Sequence, residues 1–299
     1  MADVLQQVVS GLASGGIYGS LALALVLIHR ATGVINFAQG EMATFSTYIL
    51  WTLTQNHAWP YWPAFAATLA ASFAGGFGIH QLVIRPVERG SVLRVVIVTI
   101  GLLLLLNGLT TWIWSGQVQN VHSPFPTRTI DIGGVAISIQ DIGTIGVAFA
   151  TVLVLWVFFR FTKLGLALRA AATNPEEARL VGVRVPLLLG LGWGLAATLG
   201  AIAGALAAPT IFLDPNLMQA ILIYAFAAAV LGGIDSPLGA VVGGLALGVG
   251  LNLLSWLSQY RAFDWFTEEL RLPTALAVIL GVLLLRPGGL FGRVTVGRV

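Results

Sequence analysis

The chain has 299 residues, of which 57% are apolar and only 9% charged, with a formal net charge of +3. Soluble domains carry about 25% charged residues, so this composition excludes an ordinary soluble enzyme and predicts an all-α polytopic membrane protein. The absence of cysteine excludes disulfides, thiolate catalysis and cysteine metal sites, and the basic residues lie beside apolar runs, where they do not indicate a nucleic-acid partner.

In chain order, nine apolar runs approach or reach the about 20 residues needed to cross a bilayer. They lie near 8–28, 34–53, 62–84, 95–114, 142–159, 187–208, 217–231, 237–257 and 272–285. The seventh and ninth are short and are expected to tilt, break or extend into flanking residues such as Trp265 and Phe266. Interleaved spans of this kind predict one transmembrane domain over 1–299. Met1 to Gln7 has no basic region, and no cleavable signal peptide is expected. Gly11, Gly15 and Gly19 recur every four residues on the first span. Ala196, Gly200, Gly204 and Ala208 do so on the sixth, and Ala240, Gly244 and Gly248 on the eighth. Small residues at this spacing let helix backbones approach closely in lipid.

Polar residues inside spans are where a transport path is sought. The densest set is Asn36, Gln39 and Glu41 in GVINFAQGEMATF, joined by Asn107 on the fourth span and Asn252 on the eighth. Glu41 fits a proton site, a substrate contact or a structural acceptor. The last is favoured, because Asn36 and Gly40 predict an irregular backbone in need of partners. His29, His57, His80 and His122 are scattered without ligand spacing, so no metal site is expected. Within the polar loop 115–141, Gly133-Gly134 between apolar runs predicts a small hairpin.

The other long polar segment, 160–186, holds Arg160, Lys163, Arg169, Arg179 and Arg184. A short helix is written into it. Asn174 is a good N-cap, Pro175 is pre-set for the first helical position, and Glu177 falls where it completes a capping box. Glu176 and Glu177 face the positive end of the helix dipole, and Gly182 supplies a left-handed stop. With the amino terminus outside, twelve basic residues (Arg30, Arg85, Arg89, Arg94, the five above, Arg286, Arg293 and Arg298) lie inside, against Arg128, Arg261 and Arg271 outside. That bias places the 160–186 loop and the carboxy terminus in the cytoplasm. The single lysine is followed by Leu164, so no phosphate-binding Gly-Lys-Ser/Thr loop exists. If transport is ATP-driven, the motor is another polypeptide, and a rigid cytoplasmic helix is what it would grip.

Over nearly its whole length the chain resembles the permeases of branched-chain amino-acid ABC importers. GGIYGSLALALVLIHRATGVINFAQGE carries the amino-terminal resemblance, with Tyr18, Asn36, Phe37, Ala38, Gly40 and Glu41 matching. Arg85-Pro86-Val87 matches the turn after the third span. FAAAVLGGIDSPLGAVVGG and RPGGLFG match the later glycine-rich segments. Gly165, Arg169, Ala170, Ala178 and Gly182 match the loop that docks into the ATPase in that family. The chain departs at Gln39, where many relatives have histidine, and at Asp235, where glycine is common.

The resemblance implies a type II importer fold with two halves related by an inverted repeat. It also implies an inner-membrane permease that is not itself an enzyme. Its implied partners are a second, related permease, two cytoplasmic ATPases holding ATP and magnesium, and an external binding protein. Residues 160–186, with Asn174, Pro175, Glu176 and Glu177 among them, would couple to the ATPase. Asn36, Gln39, Glu41 and Asn107 are the candidate path. Urea, amide or sugar cargo, and a proton-coupled secondary transporter using Glu41, are the alternatives.

Overall fold

The computed structural model describes residues 2–88, 90–126, 128–260 and 266–292. Trp265 and four of the basic residues counted above (Arg89, Arg261, Arg293 and Arg298) lie outside the described residues.

Among the described residues, eleven α-helices and one hairpin follow in chain order: α1 (Ala2–Thr32), α2 (Gln39–Trp51), α3 (Tyr61–Ile79), α4 (Val92–Trp114), β1 (Thr129–Ile132), β2 (Val135–Ser138), α5 (Ile139–Phe161), α6 (Lys163–Thr173), α7 (Pro175–Leu180), α8 (Val185–Ile211), α9 (Leu217–Gly232), α10 (Pro237–Leu257) and α11 (Arg271–Leu285). π-helical turns prolong α2 through Thr52–Asn56 and α3 through His80–Ile84. Each of the nine predicted runs falls on a helix. Among the described residues, six helices are long and apolar enough to cross a membrane unaided: α1, α3 with its π turn, α4, α5, α8 and α10. Helices α2, α9 and α11 have 13, 16 and 15 residues. At about 1.5 Å per residue each is shorter than a bilayer core of about 30 Å.

The second run departs most from its predicted limits, since its helix begins at Gln39 and not near 34. Gly33 takes a left-handed φ of +70°. Asn36 Oδ1 then accepts the Ala38 N–H at 3.0 Å, a local bond that competes with the helical ladder. The irregular backbone predicted around Asn36 is present.

The chain divides into two compact units. One comprises 1–26, 125–149 and 220–299. In it α1 meets α10 through the predicted glycine stripes: a Cβ on Gly11 would stand 2.7 Å from Val249 Cα, and one on Gly244 would stand 2.5 Å from the Gly19 backbone. The predicted hairpin is there as well, with β1 and β2 antiparallel and Gly133 and Gly134 at φ +63° and +84°, the geometry such two-residue turns require. Two glycine-rich segments far apart in sequence also meet in this unit. Leu290 and Phe291 donate their N–H groups to the Leu231 and Gly232 carbonyls at the end of α9, at 2.9 and 3.0 Å. RPGGLFG thus closes the carbonyl end of that helix.

The other unit comprises 27–124 and 150–219, and α8 is its centre. Helices α2 and α3 both pack along α8. Gly200 and Gly204 let α2 close in: a Cβ at Gly200 would stand 2.9 Å from Gln39 Nε2, and one at Gly204 would stand 3.1 Å from the Ala43 carbonyl. On α3, a Cβ on Gly76 would meet Ala197 at 2.6 Å. Trp193, fully buried on α8, anchors this core.

Candidate functional site

The segment 160–186 folds as two helices, of which only α7 was predicted. Thr162 starts α6 by accepting the Gly165 N–H on its Oγ1 at 2.9 Å. Gly165 is required because a Cβ there would run into the Phe158 carbonyl and the Phe159 backbone. Leu168, Ala171 and Ala178 then bury with Val185, Leu188 and Leu189 of α8 into one apolar cluster, which Phe158 and Ala31 flank. This apolar seam holds α6 and α7 against the end of α8. Asn174 caps α7 as predicted, its Oδ1 accepting the Glu177 N–H at 3.2 Å. The reciprocal half of the predicted capping box is absent, because the Asn174 N–H is already donated to the Ala170 carbonyl at the end of α6, at 3.1 Å. Gly182 is left-handed at φ +84°. Val183 and Gly182 donate to the Ala178 and Arg179 carbonyls, both at 3.0 Å, which completes a Schellman stop.

What this arrangement presents outward is mixed. Pro175, Glu176 and Glu177 are exposed, and the apolar tip formed by Leu180 and Val181 is 87% and 79% exposed. Arg169 is half-buried, with a buried Nε that makes no hydrogen bond, and Ala170 is exposed. Behind α7 lies a cavity of about 200 Å³ lined by Pro175, Arg179, Thr32, Val34 and Glu88, among others. Sequence reasoning missed Glu88. Its carboxylate lies 3.2 Å from Nε2 of the fully buried His80. The pair is formed across the π turn His80–Ile84 and the Arg-Pro turn after it, a register that helical spacing does not reveal.

The four candidate path residues fall into two groups. Asn36 and Gln39 are fully buried, and their amides are committed to structure. Asn36 Nδ2 donates to Gln39 Oε1 at 3.3 Å, and Gln39 Nε2 donates to the Ala196 carbonyl of α8 at 2.9 Å. Glu41 and Asn107 come together on the opposite side of α2. Asn107 Nδ2 lies 3.3 Å from Glu41 Oε2, 3.1 Å from the Pro215 carbonyl and 3.1 Å from Asn216 Oδ1. Gln219 Nε2 donates to Asn216 Oδ1 at 2.8 Å, and Asp214 Oδ1 accepts the Asn216 N–H at 2.6 Å. Asp214, Asn216 and Gln219 were not foreseen. Asp214 and Asn216 sit on the break between α8 and α9, where Phe212 adopts a left-handed φ of +64° and Leu213 pairs with Gln119 in an isolated bridge, and Gln219 lies in the first turn of α9. The sequence signal was Asp214-Pro215-Asn216, a turn cue that reads as ordinary loop chemistry. Asn107 lies roughly 22 Å along α4 from Val92, so this polar cluster sits well inside a membrane span. Among the described residues, no group of three His, Asp or Glu side chains could hold a metal ion.

A family model described as the permease component of the branched-chain amino acid transport system matches residues 7–286. The chain belongs to this family. It is a membrane-spanning permease component of an ABC importer and not an enzyme. Among its relatives, the BraD permease protein of a high-affinity branched-chain amino acid transport system in Pseudomonas aeruginosa is 30% identical, covering 99% of this chain and 98% of that protein. The LivH permease protein of the corresponding Escherichia coli system is 28% identical over 99% of this chain and 97% of its own length. A putative glucose ABC transporter permease protein of Haloferax volcanii is 29% identical, over 58% of this chain and 55% of that one. The permease and its amino-acid relatives are therefore similar from end to end, whereas the similarity to the glucose relative is partial.

Proposed function

We propose that this permease carries branched-chain or related small amino acids inward in an ATP-driven importer of the cell's inner membrane, its carboxy terminus cytoplasmic. A second, related permease stands beside it, two ATPases bind beneath, and an external binding protein delivers cargo. The observation that carries the cargo class is the end-to-end similarity to permeases named for branched-chain amino acid transport. The arrangement of α6 and α7 supports the coupling. The short helix α7, capped at both ends, is anchored to α8 through Ala178 together with Leu168 and Ala171 of α6, while its Leu180–Val181 tip and acidic first turn stay outside. Closure of the ATPases displaces α7, α8 follows through the shared apolar cluster, and the helices packed on α8 rock with it. Gly165, Arg169, Ala170, Asn174, Pro175, Glu176, Glu177, Ala178 and Gly182 serve this docking element. Glu41 and Asn107 line the path, with Asn36 and Gln39 shaping the backbone that supports it.

The buried Glu41 gives the proton-coupled reading its one foothold. Uptake of labelled leucine into proteoliposomes holding the four-part complex separates the two. The ATP-driven reading expects uptake that needs binding protein and ATP and survives collapse of the proton gradient. Uptake that persists without nucleotide and stops when the gradient is collapsed contradicts it.

A further inference from the structure

The polar cluster around Glu41 has two properties that its internal hydrogen bonds do not account for. Glu41 is 2% exposed, and among the described residues neither it nor Asp214 pairs with a lysine, arginine or histidine. The ion pairs there are His80–Glu88 and Arg271–Glu268. A buried acid with no counter-charge inside a membrane span is expensive and marks function. The second property concerns α2 beyond Glu41. Thr44 and Tyr48 follow it at intervals of three and four residues, which keeps all three near one face. Both hydroxyls are buried, the residues being 1% and 0% exposed, and neither has a hydrogen-bond partner. Tyr48 stacks on Trp114 at 4.9 Å, and its hydroxyl lies within electrostatic reach of Asp214, as does Glu41. Hydroxyls are rarely left unpaired in a protein interior; here two of them flank an acid that also lacks its complement.

The donors and acceptors on offer select the ligand. The cluster is rich in acceptors: two carboxyl groups, the Asn216 carbonyl oxygen and the Pro215 carbonyl. Among the described residues it holds no guanidinium or ammonium to clamp an anion. A compact cation carrying several N–H donors matches it, and a carboxylate or phosphate does not. We propose that Glu41, with Asp214 and Asn216, receives the α-ammonium group of the amino-acid cargo in transit, and that the free Thr44 and Tyr48 hydroxyls bond the polar atoms beside it. This rests on the reading of the cargo as an amino acid. Asn36 and Gln39 take no part, since their amides are bonded to each other and to α8. The contact is one-sided, because the cargo carboxylate finds no basic partner. Such a site favours passage over storage, whereas a full zwitterion clamp would hold its cargo too tightly to release.

Glu41→Gln tests the inference cleanly. Glutamine keeps the size and an oxygen that accepts the Asn107 N–H, while it removes the charge and turns the second acceptor oxygen into an amide donor. In the reconstituted complex, leucine uptake per assembled complex is expected to fall at least about tenfold for Glu41→Gln and by a smaller factor for Asp214→Asn, with Glu41→Asp partly restoring it. A second readout separates charge recognition from a merely structural bond. With the wild-type complex, 3-methylbutylamine loaded into the lumen should slow uptake, while 4-methylpentanoate, which has leucine's carboxylate and no amine, should not. Glu41→Gln should erase that difference. Wild-type rates in both Glu41→Gln and Asp214→Asn, or equal inhibition by the two compounds, overturn the site. If Glu41→Gln does not insert, Asp214→Asn and the wild-type inhibition pair decide. Failure of the wild-type complex to take up any amino acid with ATP would instead sink the cargo assignment.

Discussion

At the scale of single residues, the tightest constraints are glycines at helix crossings. A methyl group on Gly244 would stand 2.5 Å from the Gly19 Cα, where both neighbours are backbone and neither can rotate away. Gly244→Ala is expected to destabilise the purified protein by about 1–3 kcal/mol, the usual cost of overpacking, seen as a lower midpoint in thermal unfolding in detergent. Gly78 has nothing within 4 Å of its added Cβ, so Gly78→Ala should be neutral or slightly stabilising, since alanine is the better helix former. A fall of equal size at both positions would show that the stripe is not what distinguishes them. The small-residue stripes were legible in the sequence because their spacing is the packing itself. Polar partnerships were less so. Glu41 and Asn107 could be nominated as polar residues within spans, but Asp214, Asn216 and Gln219 could not. They lie at a break in the helices or in the first turn after it, and no periodicity reports which far segment a break will face.

At the scale of elements, α7 was legible in detail because caps are local. Asn174, Pro175 and Gly182 do what their chemistry prescribes within a few residues of themselves. The capping box failed for a reason just outside that window, since α6 ends on Asn174 and takes its N–H. Helix α6 was missed because Lys163 and Arg169 within it read as a basic loop, and because only Gly165, Leu168 and Ala171 of its residues are buried. Asn174→Ala should cost α7 about 1 kcal/mol, read as faster amide exchange over 175–181 with the spans unaffected. Arg169→Ala and Glu177→Ala should each lower the leucine carried per ATP hydrolysed. Wild-type coupling in both would remove the 160–186 loop from the transmission path. The limits of α2 show the converse lesson. Hydropathy ran on through 34–38, and the backbone did not follow it, because a left-handed glycine and a short asparagine side chain redirected the chain there.

At the scale of the whole molecule, the proposed one-sided contact for cargo would leave most of the selection to the proposed delivery partner. Exchanging the binding protein for a relative of different specificity should therefore redirect uptake among amino acids through an unchanged permease. Specificity that stays fixed through that exchange would place the selective site in this chain. In the proposed coupling an ATPase drives this chain through the exposed tip of α7, and hydrolysis and uptake measured together decide it. Leu180→Asp alters a side chain that is 87% exposed, so folding and insertion are not expected to depend on it. ATP hydrolysis and leucine uptake would be followed together in proteoliposomes containing this variant with its partners. The expected result is loss of uptake by at least about tenfold, with hydrolysis no longer stimulated by loaded binding protein. Uptake and stimulated hydrolysis at wild-type rates in Leu180→Asp would contradict the account.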